Sequence, residues 1–164
     1  MLYLFPTLLV LTIAAVAGCS TAPTLTQQER LALYHDHAGP PVLSFRLERL
    51  VSTHNWTPLG DQALVVWSSA NRGHLIEMRN RCSGMTMASR IAITNRRGQV
   101  TAGMDSVVPR TATGLVPVGS GTCRIDTIRP LDGRAIRDAQ RELREANYIE
   151  QADGPQEAVD QEQS

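Results

Sequence analysis

The spacing of apolar and polar residues changes period several times along the chain. Thr26-Gln27-Gln28-Glu29 forms a capping box, in which the Thr hydroxyl and Glu carboxylate each satisfy an otherwise unpaired backbone N–H. It predicts a helix from about Gln27 to His37, stopped at Gly39 and barred from continuing by Pro40-Pro41. From Val42 the period is two: Leu43, Phe45 and Leu47 alternate with Ser44, Arg46 and Glu48, as in a half-buried strand. Ala63 to Trp67 is a short apolar run that suits a central strand, Asn71-Arg72-Gly73 a turn, and His74 to Arg79 the returning partner. The pattern repeats with Met87 to Thr94, the turn Asn95-Arg96-Arg97-Gly98, and Gln99 to Gly103. Residues 106–121 hold two Pro and three Gly and are expected to be a long loop with at most one edge strand. A last strand is expected over Thr122 to Arg129. After Pro130, Asp132 can cap a helix from about Gly133 to Tyr148, whose stripe of Ile136, Ala139, Leu143 and Ala146 is narrow enough to dock only loosely. The fold class expected is mostly β (α+β): six or seven short antiparallel strands in a sandwich or small barrel, with a helix at each end.

Ahead of this domain, Leu8 to Ala17 reads LLVLTIAAVA, a run too short to span a bilayer but suited to the apolar core of a secretory signal. Val16-Ala17-Gly18-Cys19 then resembles a bacterial lipobox: an apolar residue, two small residues and a cysteine. The resemblance implies cleavage before Cys19 and lipidation of its sulfur and amine. Ser20 in the next position implies sorting to the outer membrane, facing the periplasm. The signal departs from the pattern in lacking Lys or Arg before the apolar core; an uncleaved membrane segment is the alternative. If Cys19 carries lipid, Cys82 and Cys123 are an even pair in an oxidising compartment, and a disulfide is the simplest outcome; two buried thiols are the other. Such a bridge contributes roughly 4 kcal/mol in the chain-entropy model. The expected organisation is therefore a signal peptide over 1–18, a tether over 19–25, the first helix within 26–41, a β-domain over 42–131, the second helix within 132–149, and a disordered acidic tail over 150–164.

Charge adds a candidate surface. All 16 basic residues are Arg, so lysine Schiff-base chemistry, a P-loop lysine and a Ser–Lys pair are excluded. Aromatics are 4%, too few for a base-stacking platform, and nucleic acid is not an expected partner. The zero net charge hides an asymmetry. Residues 42–131 carry eleven Arg against five acids, whereas residues 135–164 carry three Arg against eight acids. Arg72, Arg79, Arg81, Arg90, Arg96 and Arg97 face one acid, Glu77, in their stretch of sequence, and the turns set Arg72, Arg96 and Arg97 at loop tips. Arginine suits bidentate phosphate or carboxylate binding. The candidate partners are an envelope protein, anionic lipid or lipopolysaccharide, with the membrane itself held through the N-terminal lipid. A plain solvated face is the competing account.

Catalytic frames are missing. His35-Asp36-His37 has the wrong spacing for a helical zinc pair, and neither metal nor cofactor is expected. No Gly-x-Ser-x-Gly occurs. Asp105 is a candidate carboxylate whose turn-capping or Arg-paired role is the simpler account, and Trp56 to Gly60 suits a corner that packs the indole at the core edge.

The strand opening Leu43-Ser44-Phe45, the Trp56–Gly60 corner, the Leu64–Trp67 strand, Cys82 and Cys123-Arg124-Ile125 together resemble an uncharacterised family of small gamma-proteobacterial lipoproteins defined by a domain of unknown function. The resemblance covers roughly residues 43–131 and implies an envelope location and the disulfide, with no activity attached. The function expected is a non-enzymatic, lipid-anchored binding module. A small-ligand carrier or hydrolase-like enzyme with an unrecognised pocket is the alternative, and a purely structural role, with the acidic tail covering the basic face, is a third.

Overall fold

A computed structural model describes residues 25–47 and 55–152, with side chains to Ala146. The signal, Cys19 and the tether as far as Thr24, His54 and the tail beyond Ala152 lie outside the described residues. The capping box forms as its sequence dictates. Helix α1 covers Gln27–Asp36, the Glu29 N–H donates to the Thr26 hydroxyl, and the Thr26 N–H donates to the Glu29 carboxylate at 2.7 Å. Those bonds from the Thr26 backbone and hydroxyl hold the Glu29 carboxyl below its ordinary range. His37 caps the other end, its ring Nδ1 lying 2.9 Å from the Leu33 carbonyl.

Eight strands follow: β1 Ser44–Arg46, β2 Trp56–Pro58, β3 Ala63–Ser69, β4 Arg72–Met78, β5 Arg90–Ile93, β6 Gln99–Thr101, β7 Ser106–Arg110 and β8 Cys123–Asp132. They make two antiparallel sheets, a six-stranded one ordered β2-β3-β4-β8-β7-β5 and a pair β1-β6. The sheets do not close into a barrel, which decides between the two architectures expected. Helix α2, Gly133–Ala152, completes the α+β arrangement.

Boundaries differ from expectation at several places, the first being the β3–β4 turn, which is Ala70-Asn71 with Arg72 and Gly73 already paired in β4. Trp56-Thr57-Pro58, expected as a corner, is an edge strand with its Trp56 ring packed against the core; Trp56 lies opposite Val66, and the Trp67 indole N–H donates to the Thr57 hydroxyl. The segment expected as a loop with an edge strand contains β7, which lies inside the sheet between β8 and β5. Residues 84–87 turn instead of extending, so β5 starts at Arg90. Finally, β8 runs through Pro130 to Asp132: the proline lacks an N–H, but its carbonyl accepts from the Gly39 N–H at 2.9 Å. That contact belongs to a segment, residues 38–42, that follows the free edge of β8, with the Val42 N–H donating to the Ile128 carbonyl. It hands the chain from α1 to β1.

Both faces of the β3–β4 hairpin are buried. Leu64, Val66 and Ile76 join Phe45, Val100, Val107, Ile125 and Ile128 in the core between the sheets. Ala63, Val65 and Leu75 point the other way, against Tyr34 of α1 and Ile136 of α2. Trp67 lies on this second face, edge-on to Tyr34, with its benzenoid ring over Gly73; a Cβ there would sit 2.7 Å from Trp67 Cε3. Asp132 caps α2 by accepting from the Arg134 N–H at 2.8 Å. The helix docks by its first turn: Ile136 is buried, Ala139 half-buried, and Leu143 and Ala146 are exposed. Its last three residues, Glu150 to Ala152, are helical although the disordered tail was expected to start at 150.

Cys82 and Cys123 are bonded, with a Cα–Cα distance of 5.6 Å. Both are buried at the end of the sheet away from the β3–β4 turn. Replacing both by Ala is expected to lower the free energy of unfolding by about 2–4 kcal/mol. Urea denaturation of the double variant beside the wild type measures it, and an unchanged midpoint would show the bridge to be dispensable.

Candidate functional site

The chain's polar chemistry is sorted to the two ends of the six-stranded sheet. At the hairpin end lie the β3–β4 turn, the start of α2 and the end of α1. Arg137 of α2 donates to the Ala70 carbonyl at 2.6 Å and to the Asn71 side chain, fastening helix to turn. A cleft of about 470 Å³ opens beside it, lined by Tyr34, Trp67, Arg137 and Gln140 among others. Arg72 is exposed at this end, opposite Asp132 in the β4–β8 register.

The disulfide end is built differently. Two loops, 79–89 and 111–122, leave the sheet here and are zipped together: the Ser120 N–H donates to the Ser83 carbonyl at 3.0 Å, the Ser83 and Ser120 hydroxyls lie 2.6 Å apart, and Gly84 packs on Gly119. Positive φ at Gly84 and Gly119 and the close backbone approach leave no room for side chains. Arg79 pairs with Asp126 at 3.2 Å and Arg81 with Asp61 at 3.3 Å, both arginines being largely exposed. Arg90 and Arg110 face each other across β5 and β7, and neither is paired with a described carboxylate. Arg110 instead donates to the Gly114 carbonyl at 2.9 Å, and Arg90 lies against Gly114. Like charges set opposite each other in a sheet concentrate positive potential.

The six arginines singled out by sequence are thus not one patch. Arg72 and Arg79 flank opposite ends of β4, about 20 Å apart along the strand. Arg96 and Arg97 sit on the β5–β6 turn, where Arg97 takes a left-handed φ of 52° before Gly98 while the Asn95 side chain accepts from the Gly98 N–H. Arg81 and Arg90 share the disulfide end. Arg110, a member of that group, was not picked out; it stands in the segment expected to be a loop.

A buried carboxylate and a half-buried imidazole complete the picture. Asp105, 7% exposed, accepts from the Thr94 hydroxyl and from the Thr101 N–H, each at 2.8 Å, and Thr94 Oγ1 in turn accepts from the Ser106 N–H. This joins β5, β6 and β7 through one carboxylate, the turn-capping role. His74 of β4 is stacked on Phe45, centroids 4.3 Å apart, and burial pushes its pKa below the ordinary histidine value. No group of three potential metal ligands occurs among the described residues.

A family model matches residues 2–147, nearly the whole chain. The chain belongs to DUF6491, a family of unknown function. No curated protein and no solved structure matches. The match is wider than the β-domain: it takes in α1, most of α2, and the apolar N-terminal run with Cys19.

Two measurements follow. Asp105→Ala removes the acceptor for a backbone N–H and a hydroxyl and is expected to cost about 1–3 kcal/mol of stability in a denaturant titration. His74 has a depressed folded pKa, so the unfolded chain takes up its proton first, and stability falls as pH drops below about 6.5. His74→Phe, which keeps a ring on Phe45, should flatten that dependence; an equally steep fall in the variant would assign it to other groups.

Proposed function

We propose that this DUF6491 chain is a lipid-anchored protein of the bacterial cell envelope, held through Cys19 on the periplasmic side of the outer membrane, where it serves as a non-catalytic binding module. The observation that carries this is the division of its three cysteines. Cys82 and Cys123 are used up in a disulfide, which suits an oxidising compartment. The remaining one, Cys19, follows an apolar residue and two small residues at the end of a ten-residue apolar run. The reach of the family match to residue 2 supports a role for that leader in the shared design. Two or three acyl chains would hold the domain durably, where a single chain gives marginal binding.

The binding role rests on charge. The β-domain carries eleven Arg against five acids, and Arg72, Arg96 and Arg97 are exposed. An anionic envelope component, or an acidic protein face, is the partner that such exposed arginines recognise. The cleft by Tyr34, Trp67, Arg137 and Gln140 favours a second reading, a carrier for a small anionic ligand with a flat apolar part.

Mass spectrometry of the protein purified from bacterial membranes tests the anchor. The expected N-terminal peptide begins at Cys19 and carries the mass of diacylglycerol and an amide-linked acyl chain. A chain that retains residues 1–18, or begins at an unmodified Cys19, would overturn it.

A further inference from the structure

The tether and the arginine-bearing loops share one end of the fold. Thr26, the residue from which α1 starts, lines a cleft together with Gly60, Asp61 and Arg81. The Asp61 carbonyl accepts from the Cys82 N–H, and Ser83 and Gly84 are zipped to Ser120 and Gly119. A continuous line of contacts therefore leads from the start of the domain to the paired loops. Six residues separate Cys19 from Thr26, and a fully extended chain over those seven steps reaches no more than about 25 Å. A lipid on Cys19 would hold this end of the domain within about 25 Å of the bilayer.

That same end exposes large apolar side chains. Leu115 is 80% exposed, Met87 75% and Val116 57%. Isolated apolar residues on a surface need no explanation, but these three sit on two loops that are bonded to each other. Arg110, unpaired with any described acid, holds the Gly114 and Leu115 carbonyls, and Arg90 packs on Gly114. Apolar tips with arginines set just behind them match the layering of an anionic leaflet, acyl chains beneath phosphates.

We infer that the loops 83–88 and 111–118 form a second membrane contact, in which Met87, Leu115 and Val116 enter the interface of an anionic bilayer and Arg81, Arg90 and Arg110 meet its phosphates. The inference rests on the lipid anchor proposed above, which brings these loops to the surface; it adds the orientation in which the domain stands on it.

The test uses the full-length protein as matured in bacteria, reconstituted in vesicles of phosphatidylcholine alone or with about one third phosphatidylglycerol. Hydrogen exchange of residues 83–88 and 111–118 is read by mass spectrometry, with the state of Cys19 taken from the same digests. On anionic vesicles exchange in both loops should be slower by about five-fold or more, the factor one cation contributes near an anionic leaflet. Leu115→Asp combined with Val116→Asp should abolish the slowing although the variant stays vesicle-bound through its lipid. Both residues are exposed, and an unchanged urea midpoint shows that the variant is folded. Arg72→Glu, at the opposite end, should leave the slowing intact. A lipidated Cys19 with equal exchange on the two kinds of vesicle overturns the second contact and leaves the anchor standing, as does slowing that appears only when envelope proteins are added. An unmodified Cys19 overturns the anchor, and the orientation with it.

Discussion

A hairpin that is apolar on both faces governs this fold. Ala63, Leu64, Val65 and Val66 are all buried, as are Leu75 and Ile76 opposite them, so neither side of β3–β4 can be left to water. At roughly 25 cal/mol per Å² of apolar area, leaving either face open would forfeit several kcal/mol. Covering one face takes α1 and the first turn of α2; covering the other takes β1, β6 and the inner residues of β7 and β5. Once both covers are required, β8 must serve both. It pairs with β4 over Ile125–Asp132, with β7 over Cys123–Arg124, and carries residues 38–42 on its remaining edge. Its length, ten residues against three to seven for the other strands, follows from that double duty.

The places where these layers would part are the places that are braced. The disulfide ties the start of β8 to the segment after β4, closing a sequence separation of 41 residues. Asp105 holds β5, β6 and β7 together where the chain crosses between the sheets, a position at which strand ladders are interrupted and backbone donors need another acceptor. His74 is the weak point in this scheme. A titratable ring placed against Phe45 packs well when neutral and disfavours its own protonation, so the same contact that fills the core makes it sensitive to acid.

Local signals were the legible ones. The capping box at Thr26, the Asp132 cap, the alternation around Phe45 and the apolar run from Ala63 each depend on neighbours in sequence, and each element formed near its expected place. What failed to show was pairing across long separations. Pro109 and Pro130 read as punctuation, yet both lie in strands, because a proline offends a ladder only where its missing N–H is needed. The glycines of 106–121 disguised β7 as loop. Arg72 and Arg79 read as members of one arginine stretch, but β4 sets them at its opposite ends. Conversely, Arg110 and the exposed Leu115 and Val116 carried no signal in the sequence; they gain meaning from the Ser83–Ser120 contact, which joins residues 37 positions apart.

The proposed anchor and loop contact reinforce each other by a simple argument of effective concentration. A tether of seven residues confines the loops within a few nanometres of the leaflet, equivalent to a local concentration on the order of millimolar. Under that confinement a contact too weak to bind from solution is occupied most of the time. Three apolar side chains and three arginines then suffice, and a larger patch would risk aggregation before the chain was anchored. The geometry has a further consequence for the opposite end. If the disulfide end rests on the bilayer, Arg72, the Trp67 cleft and the start of α2 project away from it, along a β8 about 30 Å long. The membrane contact would set the direction of the domain, and the hairpin end would be the part presented to whatever the protein recognises.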